Sequence, residues 1–551
     1  METLDRPAWD RNVDVVVVGT GAAGSVAAIE AAERGARVLA LDFWGRGGAS
    51  ARSGGVIYAG GGTPQQHLAG FTDDPVRMQE YLDVEEGVAD DDELMHAFCE
   101  RSRDDLAWLV DRGVGIPAGF DDTKTIVPTD DRTGLYFSGN EKHYASATPP
   151  VARGHRVAGH GMTGANLVAT LHEAARRRGV EILDGARLVA FVDADGAVVG
   201  VDAVVLPRDR ATRVALASFY RAIDVYGSAL RRVPRWLNTR LDHFVQNRGT
   251  PMRIRARHGV ILATGGFSYN RAMLAQYAPA YEHAMPLGTP GDDGSGLICA
   301  QQLGAAVRLM DRCGASRFIA PPVAFCAGVL VDQRGERICD ETLYAASLSA
   351  RIAERGGRAW LIVDDAIRAQ VPRQIRAGAR LRDRPLRDLV TGRANHVLFP
   401  KVFGRINLYL NRRRAPTLDE LAHRCGIPGD ALIHTVHRYN ERARTGLPDE
   451  MGKATEHVRP LEQSPYSAIA CHLDSIVFPA PCITLGGLDV DAHQRVRRED
   501  GSVIDGLYAA GRCAAGVASR SYVSGLSLAD CVFSGRNAGI AVTAGAKTAV
   551  H

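Results

Sequence analysis

The sequence predicts an α/β protein built around a Rossmann-like unit, in more than one domain. An N-terminal strand–turn–helix–strand run predicts the unit, and glycine pairs recurring at the ends of later apolar strands predict that it continues. The length, 551 residues, predicts the rest, because a single hydrophobic core stops growing near ~250–300 residues. With 46% hydrophobic and 23% charged residues the chain has ordinary globular composition, which excludes collagen-like, disordered and disulfide-scaffold classes. A net charge of +3, from 66 basic and 63 acidic residues, argues against a dedicated nucleic-acid binder. Glycine is abundant, 59 residues in clusters without a repeat, as expected where backbone approaches a ligand closely.

The first element is Val13–Val18, a β-branched run that reads as a buried parallel strand. Gly19-Thr-Gly21-Ala22-Ala23-Gly24 follows, then a helical segment from Ser25 to Gly35 and a second strand, Ala36–Leu41, ended by Asp42. This is G-x-G-x-x-G in its strand–turn–helix setting, with an acid about 20 residues on. Gly19 makes the turn, Gly21 lets a pyrophosphate touch backbone, and Gly24 lets helix pack on strand. The helix N-terminus faces the phosphates, and Asp42 can accept from a ribose hydroxyl. The motif therefore predicts a bound dinucleotide; a plain glycine turn in a βαβ unit is the alternative.

Met1–Asn12 is polar with both charge signs, and the longest apolar stretch, Val13–Ala32, is interrupted by Asp14, Glu30 and glycines. Neither reads as a secretory signal or a membrane span. The ten cysteines form no C-x-x-C pair, so no zinc ribbon, thioredoxin-like motif or other metal site is expected. The expected compartment is cytoplasmic.

Three further segments bear on which dinucleotide. Gly47–Gly55 (GGASARSGG) is a second glycine-rich loop, offering Gly47, Gly48, Ala49, Ser50, Ser53, Gly54 and Gly55 to another face of the ligand. His258–Gly266 is a strand running into Ala263-Thr264-Gly265. Asp505–Gly511 is a strand ending in glycine, with Arg512 next; Gly525 then opens a helix through Leu526, Ser527 and Leu528 to Gly539. The N-terminus of that helix can face the electron-rich end of a reduced flavin. Together GxGxxG, GGxS, ATGG and GLYAAG resemble the FAD flavoproteins of the fumarate reductase and 3-ketosteroid dehydrogenase superfamily, over nearly the whole chain. The resemblance implies FAD. No histidine stands in the GGxS loop, where succinate dehydrogenases attach the cofactor, so non-covalent FAD is expected.

The resemblance also implies a discontinuous Rossmann-like FAD-binding domain, 1–282 and 450–551, with an inserted α+β substrate (cap) domain, 283–449. Pro286–Gly294 is turn-rich, as a boundary should be, and a helix is expected over Ser295–Leu303. Leu381–Arg444 reads as basic and helix-rich. Such a cap closes over the flavin and excludes water. A separate basic insertion, 207–257, holds twelve arginines against three aspartates. Leu216, Phe219, Ile223, Tyr226, Leu230, Val233, Leu237, Leu241 and Phe244 recur at helical spacing, with Pro234 as a break. This predicts an amphipathic helix pair. Either it makes a peripheral membrane contact through 211–247, or it docks on its own domain or on another copy.

Fumarate reductases place a histidine before T-x-G-G to clamp a dicarboxylate. Here Pro481–Gly487 puts Ile483 at that position, after Cys482, so the clamp is missing. Arg337, in the Gly335–Glu341 stretch common to both branches, does not discriminate; its structural alternative is a pair with Glu341. The steroid branch needs donors on a ketone, a base for the α-proton and a flavin to take hydride from the β-carbon. Tyr522-Val-Ser524-Gly525 resembles the Y-x-S-G of 3-ketosteroid Δ4-(5α)-dehydrogenases more than the Y-P-G-x-G of Δ1-dehydrogenases. The resemblance implies Tyr522 and the Gly525 N–H as carbonyl binders, with Ser524 assisting. It implies Tyr344, after Asp340-Glu341, as the base; a tyrosine serves if neighbours lower its pKa from about 10. Asp340 replaces an asparagine. Tyr466 is expected behind the site, and Leu135–Glu141 as pocket lining or an ordinary loop. The expected substrate is a small lipophilic ketone, a 3-oxo-5α-steroid converted to the 3-oxo-4-ene, with an external electron acceptor. The alternatives are Δ1-dehydrogenation, reduction of another enone or enoate, and a non-catalytic FAD scaffold.

Overall fold

The computed structural model describes residues 9–86, 93–122, 131–230, 233–320, 322–377 and 395–544. Arg231, Arg232 and the first part of the expected basic stretch, 381–394, lie outside the described residues.

Arg11–Val18 is the central strand, and its β-branched residues are buried on both faces, as in a parallel sheet covered by helices. It pairs in parallel with Val38–Asp42 on one side and Thr250–Leu262 on the other. Glu181–Asp184 and Val503–Ala509 extend the parallel array, so the first and last thirds of the chain share one sheet. Arg495–Arg497 closes one edge antiparallel. The hairpin Ala186–Ala194 and Ala197–Val205 leans on the first half of Thr250–Leu262, giving eight strands among the described residues. Helix Ala22–Glu33 covers the sheet. Its start is crowded: a Cβ on Gly24 would sit 1.9 Å from the Gly19 carbonyl oxygen. The C-terminal helix Leu526–Ala544 lies against it just as closely, a Cβ on Gly535 falling 2.6 Å from the Ala23 carbonyl. The fold class is thus the expected α/β.

The inserted region has its own antiparallel sheet, in the order Val329–Asp332, Ala359–Val363, Tyr466–Ala470, Arg412–Ala415. Helices Ala345–Glu354, Asn395–Tyr409, Leu418–Cys425 and Gly429–Thr445 accompany it. The boundary expected at 449/450 cuts through this sheet, because Tyr466–Ala470 is one of its inner strands. A small sheet of Met285–Pro286, Pro481–Thr484 and Cys313–Ala315 joins the two regions.

The basic insertion is a helix pair, Arg210–Ala229 and Arg235–Arg248, with Pro234 capping the second helix. Asp209 caps the first by accepting the Thr212 N–H at 2.7 Å. The pair replaces the turn of a β-hairpin, for Val205 and Thr250 face each other across the strands it joins. Its apolar stripe points inward: Ile223, Leu237, Leu241 and Val245 are buried with Leu206, against Phe43 and Trp44. What remains exposed is scattered, Val214, Val225, Leu230 and Trp236. Among the described residues no helix is long and apolar enough to cross a membrane.

Candidate active site

A groove enclosing about 1030 Å³, counted out into its mouth, runs past the carboxyl ends of the parallel strands. This is where ligands of open α/β sheets bind. Of the residues that the motifs offered, Gly19, Gly21, Ala22, Ala23, Asp42, Gly48, Ala49, Ser50, Ala263, Thr264, Gly265, Gly511 and Arg512 line this groove. The other expected binders lie behind it. Gly24 packs helix on strand, and a Cβ on Gly47 would strike the Val168 side chain at 2.4 Å. Ser53, Gly54 and Gly55 brace the second loop, with Thr163 donating to the Gly54 carbonyl at 2.9 Å. Leu526, Ser527 and Leu528 form the first turn of the last helix and do not reach the groove wall.

The groove fits FAD on its own chemistry. Asp42 Oδ2 accepts both the Thr20 N–H at 3.1 Å and the Thr20 hydroxyl at 2.5 Å, while Oδ1 accepts the Gly45 N–H at 2.6 Å, leaving one lone pair on Oδ1 for a ribose hydroxyl. Ser50 Oγ accepts the Ala22 N–H at 3.1 Å, tying the second glycine loop to the helix start that faces the pyrophosphate. At the other end Arg512 gives one nitrogen to Asp292 at 2.7 Å, while its Nη1 is buried with no partner among the described residues. An orphaned buried donor costs about 1–3 kcal/mol, which an acceptor-rich ring would relieve. Sequence reading missed Phe43, Trp44, Arg46, Ala186–Leu188, Tyr220 and Thr289–Gly296 in this wall. The Pro286–Gly294 turn was a usable signal, being as glycine-rich as the motifs but read only as a boundary.

Beyond Arg512 the structure brings the expected catalytic residues together from separate elements. Tyr344 stands just before helix Ala345–Glu354, its backbone N–H donating to Asn140 Oδ1 at 2.7 Å. Tyr522 precedes the last helix, its ring lying over Gly314, where a Cβ would come within 2.7 Å of it. The two rings are parallel within 9°, with centroids 6.2 Å apart. The Tyr344 phenol interacts with its neighbours Tyr522 and Ser524. Gly525 adopts φ +92°, and a Cβ there would fall 2.9 Å from the Tyr58 nitrogen, which donates to the Gly525 carbonyl at 3.1 Å. The Gly525 N–H itself donates to no backbone carbonyl among the described residues.

Burial pushes both phenols above their ordinary value, Tyr344 strongly. Both residues are half-buried over their whole surface. Their mutual bond acts in opposite senses: it raises Tyr344 further and lowers Tyr522, which the Arg512 charge also favours as an anion.

Tyr136, from the Leu135–Glu141 stretch, is buried beside the pair and is raised by burial and by both phenols. Ser138 Oγ donates to the Ser524 carbonyl at 3.1 Å, so that stretch is tied to the loop before the last helix. Asp340 is bonded to His143 at 2.8 Å and to Thr342, contacts an asparagine could only partly make. Arg337 is held by Glu341 at 2.9 and 3.0 Å and by Asp449 at 2.6 Å, a structural ion cluster. Tyr466 sits in the cap sheet with Asp364 and Glu462 as its charged neighbours, away from the phenol pair. Ile483 is buried opposite Gly314, making an apolar floor under Tyr522.

Comparison with known proteins agrees. Over 528 residues the chain is 31% identical to the 3-oxo-5-alpha-steroid 4-dehydrogenase of Comamonas testosteroni, covering 92% of this chain and 94% of that one. It is 27% identical to the 3-oxosteroid 1-dehydrogenase of Mycobacterium tuberculosis, covering 92% and 94%. Its structure resembles the 3-ketosteroid-delta4-(5alpha)-dehydrogenase of Rhodococcus jostii RHA1, solved in complex with 4-androstene-3,17-dione. That match has a TM-score of 0.76 at 31% identity and covers 98% of each chain. The profile described as FAD binding domain matches residues 14–528. The cofactor is FAD, and the chain belongs to the FAD binding domain family, as an FAD-dependent oxidoreductase.

Proposed function

We propose that this enzyme dehydrogenates a 3-oxo-5α-steroid to the 3-oxo-4-ene. The observation that carries the reading is the stacked Tyr344–Tyr522 pair with Ser524 beside it, near Arg512 of the groove wall. The full-length likeness to a 3-oxo-5-alpha-steroid 4-dehydrogenase supports the substrate class. The apolar floor at Ile483 favours a lipophilic ketone over a dicarboxylate.

Bound FAD supplies the acceptor for the hydrogen that leaves C5 with both electrons. The chain's own task is the C4 proton and the C3 carbonyl. Tyr522 is the proton acceptor of this reading: it stacks on Tyr344, is the less strongly raised of the two phenols, and has the Arg512 charge to favour its anion, with Ser524 beside the pair. This exchanges the roles expected from the resemblance, because Tyr344 is the phenol least able to lose its proton. The Gly525 N–H is held at the same loop to receive the carbonyl oxygen, where developing enolate charge is stabilised. The C4 proton would pass to Tyr522 and the C4–C5 double bond would form as the C5 hydrogen leaves with its electron pair, for which bound FAD would be the acceptor. FAD is held non-covalently, a reading supported by the absence of histidine from the described groove wall, and an external acceptor reoxidises it.

Anaerobic mixing with a 3-oxo-5α-steroid should bleach the flavin, and proton NMR of the product should show one vinylic proton at C4. A 1-ene product would move the double bond, and no bleaching by any 3-oxosteroid would overturn the steroid reading. The inward stripe of the helix pair supports docking on its own domain over membrane contact. Flotation with anionic liposomes that equals flotation without them would agree.

A further inference from the structure

The chemistry leaves the helix pair 210–248 unexplained. It lies at the end of the groove marked by Asp42, where the ribose of the adenosine half of a dinucleotide binds. Tyr220, from the middle of the first helix, is part of the groove wall and half-buried. Its ring meets Trp44 edge to face at 5.4 Å, and Trp44 follows Asp42 by two residues. Arg46 lies over the Tyr220 ring at 4.7 Å and brings a positive charge to the mouth. Two aromatic rings and a guanidinium around a groove are suited to a purine and its phosphates.

Four residues on from Tyr220, on the same face of the helix, Asp224 fastens the insertion down. It pairs with Arg52 at 2.5 Å and accepts the Tyr269 hydroxyl at 2.9 Å. Arg52 ends the short helix Gly48–Arg52, whose Ser50 holds the Ala22 N–H. The latch thus ties the insertion to the loop that flanks the pyrophosphate.

We propose that helices 210–229 and 235–248 are a clasp over the adenosine half of FAD, with Tyr220 and Trp44 as its contacts and Asp224–Arg52 as its latch. The clasp sets how long the cofactor stays bound and has no part in the reaction. Tyr220→Leu keeps the apolar volume and removes the π face. FAD release from the holoenzyme, followed by recovered flavin fluorescence on dilution, should quicken about tenfold, the effect of losing one base–aromatic contact. ADP should compete with FAD for the full-length apoprotein about tenfold less well, while riboflavin binding and the flavin reduction rate at saturating FAD stay unchanged. Asp224→Asn should speed release with Tyr220 intact and abolish the acceleration by salt that the part-exposed ion pair gives the wild type. Val225→Ser, on the exposed side of the same helix, should match wild type throughout. If Tyr220→Leu binds ADP as the wild type does, or loses ADP and riboflavin equally, the clasp is wrong and the helices serve packing alone.

Discussion

The dinucleotide groove and the phenol pocket are neighbours built in opposite ways. The groove is mostly backbone: glycine turns and a helix start whose N–H groups are aimed by the sheet itself. The phenol cluster is mostly side chain: Tyr344 from just before helix Ala345–Glu354, Tyr522 and Ser524 from the loop before the last helix, Tyr136 from the strand Thr133–Tyr136. A backbone site tolerates change in most side chains but none in its glycines. A side-chain site reverses that, tolerating loss of a hydroxyl without losing the fold. The contrast can be tested at both sites.

The largest effect should come from the groove. Gly24→Val places a branched side chain where even a Cβ would be 1.9 Å from a carbonyl oxygen, so the protein should be recovered without flavin and largely insoluble. Absorbance of the purified fraction checks it, and a yellow soluble product would break the comparison. In the pocket, Tyr522→Phe should keep full flavin content and reduce the rate of anaerobic flavin reduction about 10²–10⁴-fold, as for loss of a general base. Stopped-flow absorbance measures this, and near wild-type reduction would remove Tyr522 from the proton step. Arg337→Ala touches neither site but strips one partner from buried Glu341 and Asp449. Stability should fall by about 3–5 kcal/mol in urea denaturation, with the steroid KM little changed.

The smallest effect is a pH shift. Tyr522 takes a proton only as its phenolate, and burial raises its pKa, so flavin reduction should climb with pH into the alkaline range. The bond from Tyr344 lowers that pKa, so Tyr344→Phe should move the climb to higher pH. A shift to lower pH would restore Tyr344 as the base.

The same contrast explains what the sequence disclosed. Gly19–Gly24 and Asp42 were legible because a phosphate-binding turn is contiguous and its glycines have no substitute. Trp44, Ala186–Leu188 and Tyr220 were not, because they meet only after strands far apart in the chain have paired. The resemblance picked out Tyr344 and Tyr522, which the fold stacks against each other, but how burial and the Arg512 charge act on each phenol is set by neighbours far away in the chain. The cap boundary failed for a similar reason. Nothing local tells Tyr466–Ala470 that its partner is Ala359–Val363 rather than the large sheet.

The helix pair leaves and rejoins the sheet at one rung, Val205 facing Thr250. An excursion hung from a single rung can be lengthened, shortened or exchanged without disturbing the strand register on either side. If the proposed clasp holds, an engineer could graft a tighter or looser grip onto this scaffold while the strands that carry the rest of the groove keep their register.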